Sequence, residues 1–337
     1  MRKLLFGKVP PEDLLQSVFP YLGVQDSQVL VGPRFGEDAA VLNFGKKVLV
    51  VSSDPITGAI KNLGWLAVHI NANDIATMGA KPRWFLAIIF LPEKPPPKLL
   101  EKLMKQIDMA SKELKISVIG GHSEVSPGFS RPIIAGSMIG ETTKQKFVTS
   151  SGARPKDLVI LTKGVAIEGT SILATDFENQ LRSKFSIAFV RKAQGFIKML
   201  SVVPEALTAV NVSGVTAMHD PTEGGIVGGL YELAQASNVG LLIDYNKIPI
   251  LPETAAICNF FNIDPLQTIS SGSLIITSKP NKAKKIIKAL TRKKIRAEII
   301  GKVVKKEEGI KILYKKKVKI LSYPKQDHLW KVFAQLK

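Results

Sequence analysis

Cysteine is almost absent from this 337-residue chain, which carries only Cys258. One cysteine excludes an intramolecular disulfide and any cysteine-rich metal centre, and it makes the cytoplasm the expected compartment. Long hydrophobic runs are also missing. Charge interrupts each apolar stretch, and none follows Met1-Arg2-Lys3, so neither a signal peptide nor a membrane span is expected. Acidic residues are outnumbered, 28 Asp and Glu against 47 Lys and Arg, for a net charge of +19. The imbalance is local. Residues 281–337 hold 19 Lys and Arg against Glu298, Glu307, Glu308 and Asp327, a net +15, leaving +4 for the rest of the chain. Runs such as Lys315-Lys316-Lys317 suit nucleic acid or another acidic partner. Aromatics make up only 7% of the chain, too few for stacking, and the lysines alternate with Ile, Val and Leu. A solvated face on a folded segment is the stronger reading and a nucleic-acid surface the weaker one.

What is present has a globular balance, 45% hydrophobic and 22% charged. The length suits two domains of about 150 residues each. The polar stretch Glu141–Lys156, with Ser150-Ser151-Gly152 and Pro155, places the boundary between domains 1–150 and 151–337.

Three acids organise the first domain. Asp38 closes Gly36-Glu37-Asp38 before an apolar run, Asp54 follows the strand-like Val48–Ser53, and Asp74 lies in Asn71-Ala72-Asn73-Asp74 at helical spacing. Each acid alone reads first as a cap or turn residue. Together, at the edges of apolar segments, they require partners, because a lone buried carboxylate is costly. A divalent cation carrying phosphates would satisfy several at once, since Mg²⁺ favours a few carboxylates plus phosphate oxygens.

The periodicity predicts a short helix over Pro11–Tyr21 and a strand over Lys46–Ser53. A helix follows over Asn62–Met78, on which Asn71 and Asp74 share a face one turn apart. Trp84–Leu91 reads as a fully buried strand and Pro97–Leu114 as an amphipathic helix. Lys115–Ile119 reads as a strand ending in Gly120-Gly121-His122-Ser123-Glu124, a place where α/β sheets put ligand groups. Gly36, in Val31–Asp38, lets the backbone approach a ligand. His122 suits a structural hydrogen bond as well as it suits a ligand role. In the second half, Asp220 and Thr222 can cap a helix over Ile226–Ala236. Gly224-Gly225 lets that helix N-terminus meet an anion. Phe185–Leu200 is predicted helical, and the end reads as a small basic α+β unit. In it, strand Ala297–Val304 leads into a hairpin around Glu307-Glu308-Gly309.

Several stretches occur together and in order: Gly36-Glu37-Asp38-Ala39-Ala40-Val41-Leu42, Asn62-Leu63-Gly64, Asn73-Asp74-Ile75-Ala76 with Met78-Gly79-Ala80-Lys81-Pro82, Gly120-Gly121, and Asp220-Pro221-Thr222 with Gly224-Gly225. With them the chain resembles the AIR synthase-related superfamily, most of all its hydrogenase-maturation (HypE-type) branch. The resemblance implies an α/β, two-domain AIR synthase-like fold whose N-terminal sheets pair in a homodimer to form a barrel. It also implies ATP and Mg²⁺, with Asp38, Asp54 and Asp74 on the metal and the glycine-rich turns on the phosphates. The implied activity is transfer of the γ-phosphoryl group to an acceptor. HypE-type chains carry a Pro-Arg-x-Cys tail, Asn-Glu-Gly and Gly-Gly-Asp-Thr. This chain has Phe333–Lys337, Ser270-Ser271-Gly272 and Gly120-Gly121-His122-Ser123 at those places. Glu124 is then the alternative metal ligand. The expectation becomes an ATP-dependent enzyme acting on a separate, unidentified acceptor rather than on itself. The alternative is a non-catalytic nucleotide-binding or structural partner protein.

Overall fold

The structure is a computed structural model that describes residues 7–57, 61–315 and 317–335. Met1-Arg2-Lys3, Lys316 and Leu336-Lys337, which entered the sequence reading, lie outside the described residues. The described chain gathers into two compact units. Gln28–Gly32 joins Ala39–Phe147, while the described part of Met1–Ser27 and Pro33–Asp38 join the unit beginning at Val148. The division after Phe147 falls inside the polar stretch Glu141–Lys156. The return of Pro33–Asp38 to the second unit is announced by no local composition.

The N-terminal unit is a six-stranded sheet with two helices. Its strands are β1 (Val29–Val31), β2 (Ala40–Phe44), β3 (Lys47–Ile56), β4 (Lys81–Leu91), β5 (Ser117–Val125) and β6 (Ile133–Thr143), in the order β1-β2-β3-β6-β4-β5. Only the β4–β5 pair is parallel. Leaving aside α1 (Pro11–Ser17), which belongs to the other unit, the helices are α2 (Leu63–Thr77) and α3 (Leu99–Leu114). Helix α2 ends where Gly79 turns left-handed and its N–H bonds the Ala76 carbonyl at 2.8 Å. It is buried nearly all round, between β3, β4 and β6 and helix α3, so His69, Asn71, Asn73, Asp74 and Thr77 are interior along with Leu63, Leu66 and Ile75. Each such apolar side chain contributes about 1.5–3 kcal/mol.

Two expectations are corrected in this unit. The strand expected to stop before Gly120 runs through Gly120-Gly121-His122 to Val125, all of it exposed. Parallel pairing with β4 keeps it extended. Gly121 is required there because a Cβ would land on the Ala87 carbonyl oxygen of the neighbouring strand. Strand β4 is not buried on both sides: it alternates, and Ile88 is 40% exposed.

The C-terminal unit is built on a seven-stranded sheet: β7 (Leu158–Thr162), β8 (Val215–His219), β9 (Gly240–Asp244), β10 (Ile275–Ser278), β11 (Ala297–Val304), β12 (Ile310–Tyr314) and β13 (Lys317–Ile320), ordered β13-β12-β9-β11-β7-β10-β8. Helices α4 (Ile167–Asp176), α5 (Glu178–Arg182), α6 (Ile187–Gln194), α7 (Val203–Val212), α8 (Gly225–Ser237), α9 (Pro252–Phe260), α10 (Pro280–Arg292) and α11 (His328–Gln335) surround it. One core joins the sheet to α8 through Val159, Leu161, Leu230, Leu233, Leu241, Ile243 and Ile312. A second joins α4, α6, α9 and α11 through Leu173, Phe177, Val190, Cys258, Leu329 and Val332.

The terminal segment is not a separate α+β unit, because β11, β12 and β13 belong to this same sheet. Nor do β11 and β12 form a hairpin: β9 lies between them, antiparallel to β11 and parallel to β12. Glu307-Glu308-Gly309 makes the turn, but the register is set by a strand far away in sequence. The helix expected over Phe185–Leu200 is α6 followed by a tighter 3₁₀ turn at Gly195–Met199. Helix α1 also stops earlier than the predicted Tyr21.

Candidate functional site

In the N-terminal unit, β3 and α2 present oxygen donors to each other. Ser52 Oγ donates to Asp74 Oδ2 at 2.7 Å, and Asp74 is only 5% exposed. Asp54 is two residues beyond Ser52 and therefore on the same side of the strand. Its backbone N–H donates to Asn71 Oδ1 at 3.0 Å, while Asn71 Nδ2 donates to the Asp54 carbonyl at 3.2 Å and to the Ala67 carbonyl at 2.9 Å. Asn71 thus splints helix to strand. Asp74, one turn later on α2, brings its carboxylate to the same seam as Asp54. The structure therefore brings Asp54, Asn71 and Asp74 together, and it adds Ser52, which no sequence pattern singled out.

Gly120, Gly121 and Glu124 lie elsewhere in this unit, on β5. Glu124 accepts from Ser126 Oγ at 2.5 Å and contacts His122 Nε2 at 3.2 Å. These two bonds, Ser126 first, hold its pKa below the usual carboxylate value.

Asp38 belongs to the C-terminal unit and binds His219 at the end of β8: Oδ1 to Nδ1 is 2.6 Å. The other ring nitrogen of His219 meets Glu232 Oε2 of α8 at 2.8 Å. All three side chains are at least nine-tenths buried. Burial opposes the imidazolium, but the two carboxylates outweigh it and keep the His219 pKa well above the ordinary value. Burial likewise opposes the Glu232 charge, yet Lys8, His219 and Tyr323 hold its pKa down to about 2. The Tyr323 hydroxyl donates to Glu232 Oε1 at 3.1 Å. Arg34 and Glu37 extend the clamp, with Glu37 accepting from the Ser150 N–H at 3.0 Å. Gly36 fits against α8, where a Cβ would lie 2.7 Å from the Glu232 carbonyl oxygen. The glycine that reads as a ligand-approach position is thus also a packing position.

The Asp220-to-Gly225 loop leads from β8 into α8. Asp220 is 2% exposed, and the Thr222 carbonyl accepts from Gly225 at 3.0 Å and Ser270 at 3.3 Å. The anion that meets this helix N-terminus is the chain's own. Asp327 Oδ2 accepts from the Gly224 N–H at 2.7 Å, while its Oδ1 accepts from Leu329 in the first turn of α11, also at 2.7 Å. Burial pushes the Asp327 carboxyl up to about 7 despite these bonds. Glu168 on α4 is likewise raised to about 7, chiefly by burial, with the nearby Ser271 hydroxyl opposing and the charges of Asp327 and Glu223 adding. Sequence reasoning missed Glu168, His219, Glu232 and Asp327. Lone acids in apolar helices were the signal for Glu168 and Glu232. Among the described residues, no three His, Cys, Asp or Glu side chains gather closely enough to cage a metal unaided.

Comparison with known proteins places this geometry. The family model "AIR synthase related protein, N-terminal domain" matches residues 36–142, and its C-terminal counterpart matches residues 154–313. The chain belongs to the AIR synthase-related family. A hydrogenase expression/formation protein of Methanocaldococcus jannaschii is 30% identical over 315 residues, 90% of each chain. The carbamoyl dehydratase HypE of Rhizobium leguminosarum bv. viciae is 29% identical over 280 residues, covering 80% of this chain and 78% of that one. A selenide, water dikinase of M. jannaschii is 27% identical over 336 residues, covering 94% and 91%. Among solved structures, one from the HypE–HypF complex superposes with a TM-score of 0.76 at 25% identity, covering 92% of this chain and 99% of that one. The two-domain mixed α/β architecture is that of the family. No single helix among the described residues is long and apolar enough to cross a membrane.

Proposed function

We propose that this chain is an ATP-dependent phosphoryl-transfer enzyme whose acceptor is a separate molecule. The observation that carries this is the Ser52–Asp74 bond beside the Asn71 splint, which fixes the Asp74 carboxylate and the backbone of Asp54 at one strand–helix seam before any ligand arrives. Oxygen donors of this kind fit Mg²⁺, which keeps most of its shell for water and phosphate and needs only one or two protein carboxylates. A cation bound there would neutralise charge on the transferring phosphoryl group. Asp54 and Asp74 would hold it. Asn71 keeps their two elements in register, and Ser52 orients Asp74. Kinship with a dikinase and with HypE proteins supports the ATP assignment. The exposed apolar residues of β5, Val118, Ile119 and Val125, support a homodimer formed through the N-terminal sheet, as expected from the family.

A second reading is a nucleotide-responsive partner without turnover. It is favoured by the engagement of Asp38 with His219 and of the α8 N-terminus with Asp327.

Calorimetric titration with ATP, with and without Mg²⁺, together with phosphate release, separates the two readings. The first expects Mg²⁺-dependent binding and turnover, both lost in Asp74→Asn. Equal binding and turnover by Asp74→Asn and Asp54→Asn would overturn the metal assignment. Binding with no release under any acceptor tried would favour the second reading.

A further inference from the structure

The charge excess of residues 281–337 is not exhausted by the nucleotide reading, and the fold concentrates part of it on one exposed strand. β13 (Lys317–Ile320) is the last strand of the seven-stranded sheet, and all four of its residues are exposed. Among the described residues it pairs with β12 alone, placing Lys317 opposite Tyr314, Val318 opposite Leu313, Lys319 opposite Ile312 and Ile320 opposite Lys311. Paired residues share a face of the sheet. Ile312 faces the core, so Lys317 and Lys319 stand along the margin of the core-side face. Val318 and Ile320 stand on the other face at 55% and 80% exposure, continuing from Leu313. The edge therefore offers three features at once: a row of backbone groups, two ammonium groups on one side and two bare apolar side chains on the other.

We propose that β13 docks an acidic strand from another protein, which extends the sheet by one strand. The incoming segment alternates, with Asp or Glu toward Lys317 and Lys319 and apolar residues covering Val318 and Ile320. Main-chain bonding along a sheet edge supplies affinity, and the alternating side chains supply selectivity.

Charge chooses this occupant over the alternatives. A second copy of the edge would set lysine against lysine, the arrangement by which natural edges avoid self-pairing. Nucleic acid is matched less well. Of the 19 cationic residues in 281–337 only Arg292 and Arg296 carry the planar fork suited to phosphate. Tyr314, the aromatic of β12, already packs edge-on against Tyr245 at 4.5 Å and under the Lys315 ammonium at 5.2 Å. It is not free to stack on a base. Val318 and Ile320 also gain nothing from a phosphate backbone but gain from an apolar strand face.

The test uses the full chain and a short fluorescent peptide alternating Glu and Val, read by anisotropy. A Lys–Val counterpart, a version N-methylated along its bonding edge, and single-stranded RNA are run beside it. The expected result is binding of the Glu–Val peptide alone. The double variant Lys317→Glu/Lys319→Glu should weaken it by about tenfold, two cross-strand charge pairs having turned repulsive. Val318→Lys/Ile320→Lys should weaken it further at high salt, where the charge contribution is screened. The N-methylated arm needs no variant and decides the strand-addition claim even if a double variant fails to fold. The proposal is overturned by equal binding of the N-methylated and parent peptides, or by equal affinity in wild type and the charge-reversed variant. Tighter binding of RNA that is lost in that variant, or a dimer of the chain that dissociates in it, would equally overturn it.

Discussion

Replacing Glu168 with glutamine should make this protein more stable in mild alkali. Glu168 is interior on α4, and its carboxyl is raised from 4.5 to about 7, first by burial and then by the charges of Asp327 and Glu223. Between those two values the unfolded chain has already released the proton while the folded chain retains it. The folded state then binds more protons, so the free energy of unfolding falls as pH rises through this window. At about 1.4 kcal/mol for each tenfold change, the rise from 4.5 to about 7 corresponds to about 3 kcal/mol lost by the time the folded carboxyl is ionised. Glutamine is close in shape and uncharged throughout. Near pH 5 the two proteins should therefore differ by no more than one hydrogen bond, about 1 kcal/mol. Above about pH 8 the variant should be the more stable by up to about 3 kcal/mol. Removing the Glu168 charge also relieves Asp327, one of the groups it faces, which adds to the effect. Denaturant midpoints of both proteins, followed across this range, give the difference directly and cancel the titrating groups that do not couple to Glu168. A difference that stays flat with pH, or a variant that loses stability in alkali, would show that Glu168 is ionised in the fold and that the electrostatic reasoning is wrong.

Lys163 reaches the Met199 and Ser201 carbonyls at 2.6 and 2.7 Å and Glu205 at 2.7 Å, with both charged groups interior. Lys163→Met should cost about 3–5 kcal/mol by stranding the glutamate, and Lys163→Met/Glu205→Met should recover most of it in the same denaturant assay. Gly121→Val should destabilise the β4–β5 pair by about 1–3 kcal/mol, because the new Cβ overlaps the Ala87 carbonyl oxygen. Faster amide exchange confined to β4 and β5 is the readout, and unchanged exchange would mean that the strands can separate at no cost. Ser52→Ala should leave the fold intact yet lower Mg²⁺-dependent ATP affinity less than Asp74→Asn does, since it removes the orienting hydroxyl rather than the carboxylate.

Elements with strong local periodicity were legible in the sequence: α2, α3 and β11 stand within a few residues of where apolar spacing put them. What failed was pairing. Gly120-Gly121 carries a turn signal, and only the parallel neighbour β4 forces it straight. The turn at Glu307–Gly309 is real, but the partner of the following strand is β9, which local sequence cannot indicate. The candidate site divides in the same way. Asn71 and Asp74 were found because a helix fixes three-residue neighbours on one face. Ser52 was missed because a serine in a strand carries no mark of what faces it. Asp38 was visible as an acid but not as the partner of His219, and Asp327 entered only as one of four acids in a basic segment, not as the cap of α8. Buried charge is specified in pairs, and one sequence displays only single members of them.

The passage of the chain into one unit, out of it and back again sets an order of events during synthesis. Ala39–Phe147 holds five of the six strands of its sheet and both of its helices in one continuous stretch, so it can close as soon as it leaves the ribosome. Pro33–Asp38 emerges before it but cannot find His219 or Glu232 until the later half has been made. A nascent chain halted near Phe147 should therefore hold Gly36-Glu37-Asp38 as a protease-sensitive loop between β1 and β2, its later partners His219 and Glu232 not yet made.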